Sequence, residues 1–279
     1  MKSISKITLS RMEKRGLNKI SYKFNENIFE DVAKKILKLK KGIVFLTTGF
    51  YCFGTHETDG PIGTLCLSIA LKKLGFRPII LTESFSKNIY EKDDIEVIYI
   101  DQNMTPDYYK KIITNYSPVA LISIERPGRN FDRKYTNLNK KDITEFVCNL
   151  DELFLIDSAP YTLAIGDGGN EIGMGSIKTE IDKHLEISPS IIKSDDLIVS
   201  TVSNWGAYGV ISALEIHSKI QLLPKFKDVK KILNHINKKG LVDGITGKKG
   251  TVDDLSMKTE KEILKLLENH IKSFHLNKI

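Results

Sequence analysis

The sequence predicts a single α/β domain with a mainly parallel, doubly wound (Rossmann-like) sheet of about six strands and helices on both faces. Short apolar segments, typical of strands that are buried on both faces, alternate with longer segments of helical periodicity. Glycine, proline and polar residues separate these segments. Strands that alternate with helices favour βαβ units with right-handed crossovers, which lead to a parallel sheet.

The first half of the chain shows this alternation clearly. One helix is expected to be capped by Asn25 or Asn27 and to continue to about Lys41. Another is expected to begin at Pro61, which suits a first helical turn, and to end before Gly75. The remaining expectations here are strands at 43–46, 78–81, 95–100 and 119–124, and a helix at 106–115.

The second half continues the pattern. Asp142 is expected to cap a helix that ends at about Leu155, and an apolar strand follows from Tyr161 to Ile165. The remaining expectations are a strand at 197–202, a helix ending at about 220, and a mostly helical chain after 224 that is interrupted at 240–254. Without an internal repeat or linker, residues 25–279 are expected to form one domain after an N-terminal extension of residues 1–24.

Composition limits the classes of function. The 279 residues are 41% hydrophobic and 28% charged, as in ordinary globular proteins, and the net charge of +7 is scattered along the chain rather than concentrated. A nucleic-acid partner is therefore not expected. The three cysteines form no C-x-x-C pair, and no apolar segment suits a signal peptide or a membrane span. We expect a cytoplasmic protein without a membrane partner, and a homo-oligomer is left open.

The most unusual stretch is a glycine-rich turn after Ile165. Gly166, Gly168 and Gly169 permit positive φ angles and let the backbone approach a ligand closely. A helix just beyond the turn would add N–H groups that attract an anion, while Asp167 and Glu171 indicate a bridging cation or a base. The turn completes neither the G-x-G-x-x-G nor the Walker pattern. The alternative is a tight connection whose acidic residues only cap the helix.

Other unusual residues also follow predicted strands, at the edge of a parallel sheet where ligands bind. Carboxylates and asparagine there favour Mg²⁺ or Mn²⁺ over zinc. Arg126 and Arg129 flank a Pro-Gly turn and could hold a substrate carboxylate or phosphate, or form surface ion pairs. The residues expected to share a pocket are Thr48, Gly49, Glu57, Asp59, Arg126, Arg129, Asp167, Gly168, Gly169, Asn170, Glu171, Ser203 and Asn204.

Several of these motifs, taken together, resemble the C-terminal domain of the D-glutamate cyclase family. The resemblance covers nearly the whole chain from about residue 25. We expect the chain to lack the additional N-terminal domain of the full-length mitochondrial enzyme. The matching motifs are Thr48-Gly49-Phe50, residues 57–61, Glu125-Arg126-Pro127-Gly128-Arg129-Asn130, residues 166–175, residues 203–206, residues 240–244 and Val252-Asp253.

The resemblance implies a lyase of D-amino acid metabolism that dehydrates D-glutamate, or a related amino dicarboxylate, to 5-oxo-D-proline. Arg126 or Arg129 would hold the α-carboxylate, and N–H groups near Gly168 would receive the developing oxyanion. Asp167 or Glu171 would act as general base or bind a metal. The metal ligands would be Glu57, Asp59 and Asp167, and the substrate would also contact Thr48, Gly49, Gly169, Asn170, Ser203 and Asn204.

Two other classes of function remain open. The chain could be a non-catalytic domain that binds an amino acid or nucleotide and works with a separate partner. It could also be a metal-dependent phosphoryl-transfer enzyme, which an acidic site and a glycine-rich turn favour, although the turn lacks a phosphate-binding lysine.

Overall fold

The structure is a computed structural model that describes residues 2–91, 94–157 and 159–276. Its strands are β1 (Ile43–Thr48), β2 (Tyr51–Cys52), β3 (Thr55–His56), β4 (Arg77–Glu83), β5 (Glu96–Ile100), β6 (Ala120–Ile124), β7 (Tyr161–Gly166), β8 (Asp196–Val199), β9 (Thr251–Val252) and β10 (Leu255–Ser256). Its α-helices are α1 (Ile4–Thr8), α2 (Ile28–Lys38), α3 (Pro61–Lys73), α4 (Pro106–Tyr116), α5 (Lys178–His184), α6 (Ser203–Ser218), α7 (Phe226–Lys238) and α8 (Met257–Leu276).

Six strands form one sheet in the order β5-β4-β1-β6-β7-β8, and every neighbouring pair is parallel. From β1 the chain passes outwards through β4 to β5, and then returns to the other side of β1 with β6. The loops after β1 and β6 therefore diverge at the topological switch point, where a Rossmann-like sheet binds its ligands. This strand order confirms the predicted fold class.

The two faces of the sheet are covered differently. Val44 and Leu46 of β1 pack in a large apolar cluster with α2, α3, α6, α7 and α8. Phe45, which points to the opposite face, packs in a smaller cluster with α4 and the 3₁₀ segment Leu150–Leu155. Helical layers on both faces bury the strands, which explains why their sequences are continuously apolar.

The helix expected from Asp142 to about Leu155 is wrong. Asp142 does accept the backbone N–H of Thr144 at 3.0 Å, but the chain forms only two 3₁₀ segments, Thr144–Phe146 and Leu150–Leu155. Between them the N–H of Cys148 donates to Glu83 Oε1 at 3.2 Å, and its carbonyl accepts Arg126 Nη2 at 2.6 Å. Because long-range partners take these backbone groups, a continuous helix cannot form here.

Candidate active site

A cavity of about 1030 Å³ opens beside the carboxyl ends of the central strands. The loops after β1, β6, β7 and β8 each supply part of its wall, through Glu57, Glu125, Glu171 and Thr201 among others. The cavity therefore lies at the sheet edge where the sequence predicts a shared pocket.

None of the helices that the structure describes has both the length and the hydrophobicity that a membrane span requires.

Five buried carboxylates form what we call the acidic cluster. Its members belong to two groups whose carboxylate oxygens lie within 4.8 Å of one another: Asp59, Asp167 and Asp253, and Glu125, Asp167 and Glu171. Asp167 belongs to both groups and is 0% exposed. Glu125, Glu171 and Asp253 line the cavity, so Asp59 and Asp167 lie behind its wall.

Asp59 and Asn204 cap the helices that bring them together. Asp59 accepts the backbone N–H groups of Ser203 and Asn204 at 2.7 and 2.8 Å, at the start of α6. Asn204 Oδ1 in turn accepts the N–H groups of Gly60 and Gly63 at 3.1 and 2.6 Å, at the start of α3. Asn204, expected to bind substrate, thus holds the Asp59 loop in place.

The glycine-rich turn folds around its own glutamate. Glu171 accepts the backbone N–H groups of Asp167, Gly168 and Gly169 at 3.3, 2.6 and 2.7 Å. The turn leads into a 3₁₀ segment, Met174–Ile177, rather than directly into an α-helix. The N–H groups expected to receive an oxyanion are therefore bonded to Glu171, and the expected helix terminus is not at the turn.

Asn170, which the sequence also predicts to be a site residue of this turn, lines the cavity. Its side-chain N–H donates to the carbonyl of Thr136 at 2.6 Å, which joins the turn to the loop after β6. The N–H of Gly128 donates to the Asn170 carbonyl at 2.9 Å, so the loops after β6 and β7 are bonded to each other.

Glu125 and Thr201 are cavity residues that the sequence reading did not assign to the site. Glu125 has a φ of 46°, which is strained for a side chain of this kind, and it accepts the hydroxyl of Ser203 at 2.5 Å. Thr201 is 2% exposed, and among the described residues its hydroxyl has no hydrogen-bond partner. A buried hydroxyl on a cavity wall without a partner indicates a ligand or an ordered water there.

Arg126 is part of what we call the buried ion network. It is 0% exposed and pairs with Glu83 Oε1 at 2.5 Å, and Glu83 Oε2 lies 3.0 Å from His56 Nε2. Burial alone would raise the pKa of Glu83, but the charges of Arg126 and His56 outweigh it and lower the pKa to about 2. This pairing departs from the expected role of Arg126 as a substrate ligand.

Thr48 and Gly49 serve the same network. Their carbonyls accept Arg126 Nη1 at 3.4 and 3.2 Å. The His56 ring occupies the space beside Gly49, where a Cβ would lie only 2.4 Å from the ring. Neither residue lines the cavity, so their positions also depart from the expected contact with substrate.

Arg129 forms ion pairs with acidic residues that do not belong to the buried ion network. Its guanidinium forms two hydrogen bonds with Asp151, at 2.7 and 2.9 Å, and a third with Glu152 at 2.6 Å. Tyr135 donates its hydroxyl to the same Asp151 at 2.5 Å. Arg129 is absent from the cavity wall, so both arginines lie elsewhere than the substrate carboxylate site expected of them.

The carboxylate group that contains Asp59 and Asp167 includes Asp253 and not Glu57, which the sequence predicts as a metal ligand. Glu57 lines the cavity and packs so closely on Gly244 that a Cβ there would lie 1.6 Å from its Oε2, but it is outside both carboxylate groups. Asp253 is inside one of them. It lies with Asp254 in a two-residue turn between β9 and β10, where φ angles of 52° and 57° are typical of a type I′ hairpin.

Aromatic and basic residues complete the wall. Tyr51 and Phe146 stack with ring centroids 4.2 Å apart and an interplanar angle of 8°. Lys19 and Lys141 line the cavity from the N-terminal segment and from the loop after β6. Since pockets for drug-sized ligands range over roughly 300–1,000 Å³, the cavity has room for more than one small amino acid.

The family model described as D-glutamate cyclase-like, C-terminal matches residues 4–268. The chain belongs to this family. The match begins at residue 4, inside residues 1–24, which are expected from the sequence to be an N-terminal extension.

One curated relative is human mitochondrial D-glutamate cyclase, which is 30% identical over 200 residues. The matched region is 62% of this chain and 32% of the human protein. The chain therefore covers about a third of the length of that relative, and the resemblance read from the sequence is confirmed at the level of the family.

Proposed function

We propose that this domain is a D-glutamate cyclase-like hydro-lyase that converts D-glutamate, or a related amino dicarboxylate, to 5-oxo-D-proline and water. It would act in D-amino acid metabolism, in the cytoplasm. The observation that supports this proposal most strongly is the acidic cluster beside a cavity at the switch point of the sheet. Membership of the family supports the reaction type.

The reaction needs an amine without its extra proton and an activated γ-carboxyl group. The amine nitrogen forms a bond with the γ-carboxyl carbon and then loses a second proton. One carboxyl oxygen gains two protons, which equal in number those lost by nitrogen, and its bond to carbon breaks as it leaves as water. Glu125 faces the cavity and has one oxygen fixed by Ser203, so it is placed to accept the ammonium proton. Glu171 is held by three N–H groups and would keep the acidic wall rigid.

The donor set fits a divalent cation such as Mg²⁺ or Mn²⁺. Asp59, Asp167 and Asp253 offer only carboxylate oxygens within 4.8 Å of one another, and hard cations prefer such ligands. A bound ion would polarise a carboxyl oxygen of the substrate and balance the charge of the cluster. The metal set differs from the one expected from the sequence by Asp253 in place of Glu57.

Turnover by the purified chain tests the proposal. The chain is incubated with D-glutamate or L-glutamate and with Mg²⁺ or Mn²⁺, and the 5-oxoproline formed is resolved by chiral chromatography. We expect 5-oxo-D-proline from D-glutamate, and a loss of at least about 100-fold in rate in Glu125→Gln, the size of a general-base contribution. A parent protein that binds D-glutamate but never converts it would contradict the proposal.

A binding domain for a larger ligand is the second candidate. The volume of the cavity and the stacked pair of Tyr51 and Phe146 favour a ligand with a planar ring, such as a nucleotide. A thermal-shift screen with nucleotides discriminates the two functions, because a ligand at 100 times its Kd stabilises the protein by about 2.7 kcal/mol. Stabilisation by nucleotides without any turnover of glutamate would favour this candidate.

A further inference from the structure

The wall of the cavity carries more negative than positive charge. Its acidic residues are Glu57, Glu125, Glu171, Glu186, Asp253 and Asp254. A substrate with two carboxylates is repelled by such a wall unless positive groups receive those carboxylates. Apart from the divalent cation proposed above, the basic side chains of the cavity are the groups that carry positive charge to the negative end of an amino dicarboxylate.

Only a few basic side chains are placed to do so. Arg126 and Arg129 are held by Glu83 and by Asp151, away from the wall. Of the described residues, the basic ones on the wall are Lys19, Lys141 and His184, and His184 Nε2 lies 3.8 Å from Glu180.

We propose, on the basis of the function proposed above, that Lys19 and Lys141 bind the two carboxylates of the substrate. The amino group then faces Glu125 and the rest of the acidic cluster. Among the described residues, neither lysine forms an ion pair or a side-chain hydrogen bond with the protein, so both ammonium groups are available to a ligand. Ammonium–carboxylate contacts are charge-assisted and are stronger than neutral hydrogen bonds.

The backbone of Lys19 is held on both sides. Leu17 and Ile20 are each 1% exposed and pack in an apolar cluster with Leu185. Gly16 has a φ of 70°, and a Cβ there would lie 3.1 Å from Leu185 Cδ2. A fixed backbone limits where the Lys19 ammonium can go, as a binding residue requires.

Lys141 is held by a side-chain cap. Asn137 Oδ1 accepts the N–H of Lys141 at 3.0 Å, and the N–H of Asn137 donates to the Lys141 carbonyl at 3.0 Å. An isolated β-bridge between Thr136 and Asp142 closes the same loop. The two lysines therefore approach the cavity from separate, well-anchored segments.

Isothermal titration calorimetry of variants that remove the positive charge of Lys19, Lys141 or both tests this proposal. We compare Lys19→Gln, Lys141→Gln and the double variant with two controls outside the cavity wall, Lys23→Gln and Lys140→Asn. Lys140 has a φ of 58°, which asparagine tolerates. The ligands are D-glutamate, glutarate and inorganic phosphate.

We expect each cavity variant to raise the Kd for D-glutamate by about tenfold, with KM rising more than kcat falls, as for one lost charge-assisted contact. Both controls should stay within about twofold, and Lys→Arg should retain most of the affinity. If D-glutamate is neither bound nor converted by the parent, the proposed function fails, but glutarate and phosphate still test the lysines. Equal binding of these anions by parent and double variant, or no binding of either anion by the parent, would overturn the lysine proposal.

Discussion

Two groups of buried charged side chains lie at the same edge of the sheet, and they are built in opposite ways. In the buried ion network, Glu83 contacts Arg126 at 2.5 Å and His56 at 3.0 Å. In the acidic cluster, carboxylates approach one another within 4.8 Å. In this cluster, backbone N–H groups donate hydrogen bonds to Asp59 and Glu171. The partners of these carboxylates are therefore peptide dipoles, whereas the partner of Glu83 in the ion network is a charged arginine.

The two groups therefore contribute differently to the protein. The opposite charges of Glu83 and Arg126 satisfy each other, and Arg126 also bonds to backbone carbonyls at the end of β1 and in the loop after β6. Like charges gathered in one buried space instead raise one another's free energy unless a cation or a proton lies among them. Groups of this kind are typical of functional sites, whereas the ion network is expected to contribute to folding.

The largest effect should follow from breaking the network. Arg126→Met leaves Glu83 buried without its arginine, and removal of one partner from a buried pair costs about 3–5 kcal/mol. Arg77→Met is the matched control, because the Arg77–Glu96 pair has side chains that are 61% and 38% exposed. Urea unfolding should show a loss of less than about 1 kcal/mol in the control, and equal losses in both variants would contradict the distinction.

The network should also make stability depend on pH. The pKa of Glu83 is about 2 in the folded protein and about 4.5 when unfolded, so its contribution is present above pH 4.5 and disappears as pH falls towards 2. A difference of this size corresponds to about 3 kcal/mol. Glu83→Gln should be less stable at pH 7 but lose less stability between pH 5 and 2; a parallel loss in both proteins would contradict this assignment.

A smaller effect is expected where the acidic cluster meets the helix caps. Asn204→Ala removes the acceptor for Gly60 and Gly63 and should cost about 1–2 kcal/mol. It should also slow turnover, because the same bonds hold the loop of Asp59. Thr105→Ala, which removes the cap of α4 and changes no residue of the cavity wall, should cost about 1 kcal/mol and leave turnover unchanged. Equal activity in both variants would show that Asn204 does not position the site.

The sequence predicts the six strands of the main sheet and the edge that carries the candidate site, because continuous apolar segments and the polar loops after them are local signals. Pro61, for example, correctly marks the start of α3. The sequence does not show which side chains of different strands contact each other. Glu83 and Arg126 meet because β4 and β6 both pair with β1, and this order is fixed only when the chain has folded.

Dependence on tertiary packing also explains why some cavity residues could not be predicted from the sequence. Lys19 belongs to a segment without a motif, and it reaches the cavity because Leu17 and Ile20 are buried against α5 and its neighbours. Asp253 carried one usable signal, since a two-residue Asp-Asp link between apolar residues is compatible with a tight hairpin. Its approach to Asp167 depends on tertiary packing and could not be predicted.

Binding of Mn²⁺ to the parent protein and to Asp167→Asn tests most directly whether the acidic cluster is a functional cation site. Calorimetry should show one Mn²⁺ site in the parent and at least about tenfold weaker binding in Asp167→Asn, because this residue belongs to both carboxylate groups. Asp254→Asn, which changes a neighbouring cavity residue outside both groups, should bind like the parent. Circular dichroism should show an intact fold in both variants. Undiminished Mn²⁺ binding by Asp167→Asn, or no binding by the parent, would contradict the account.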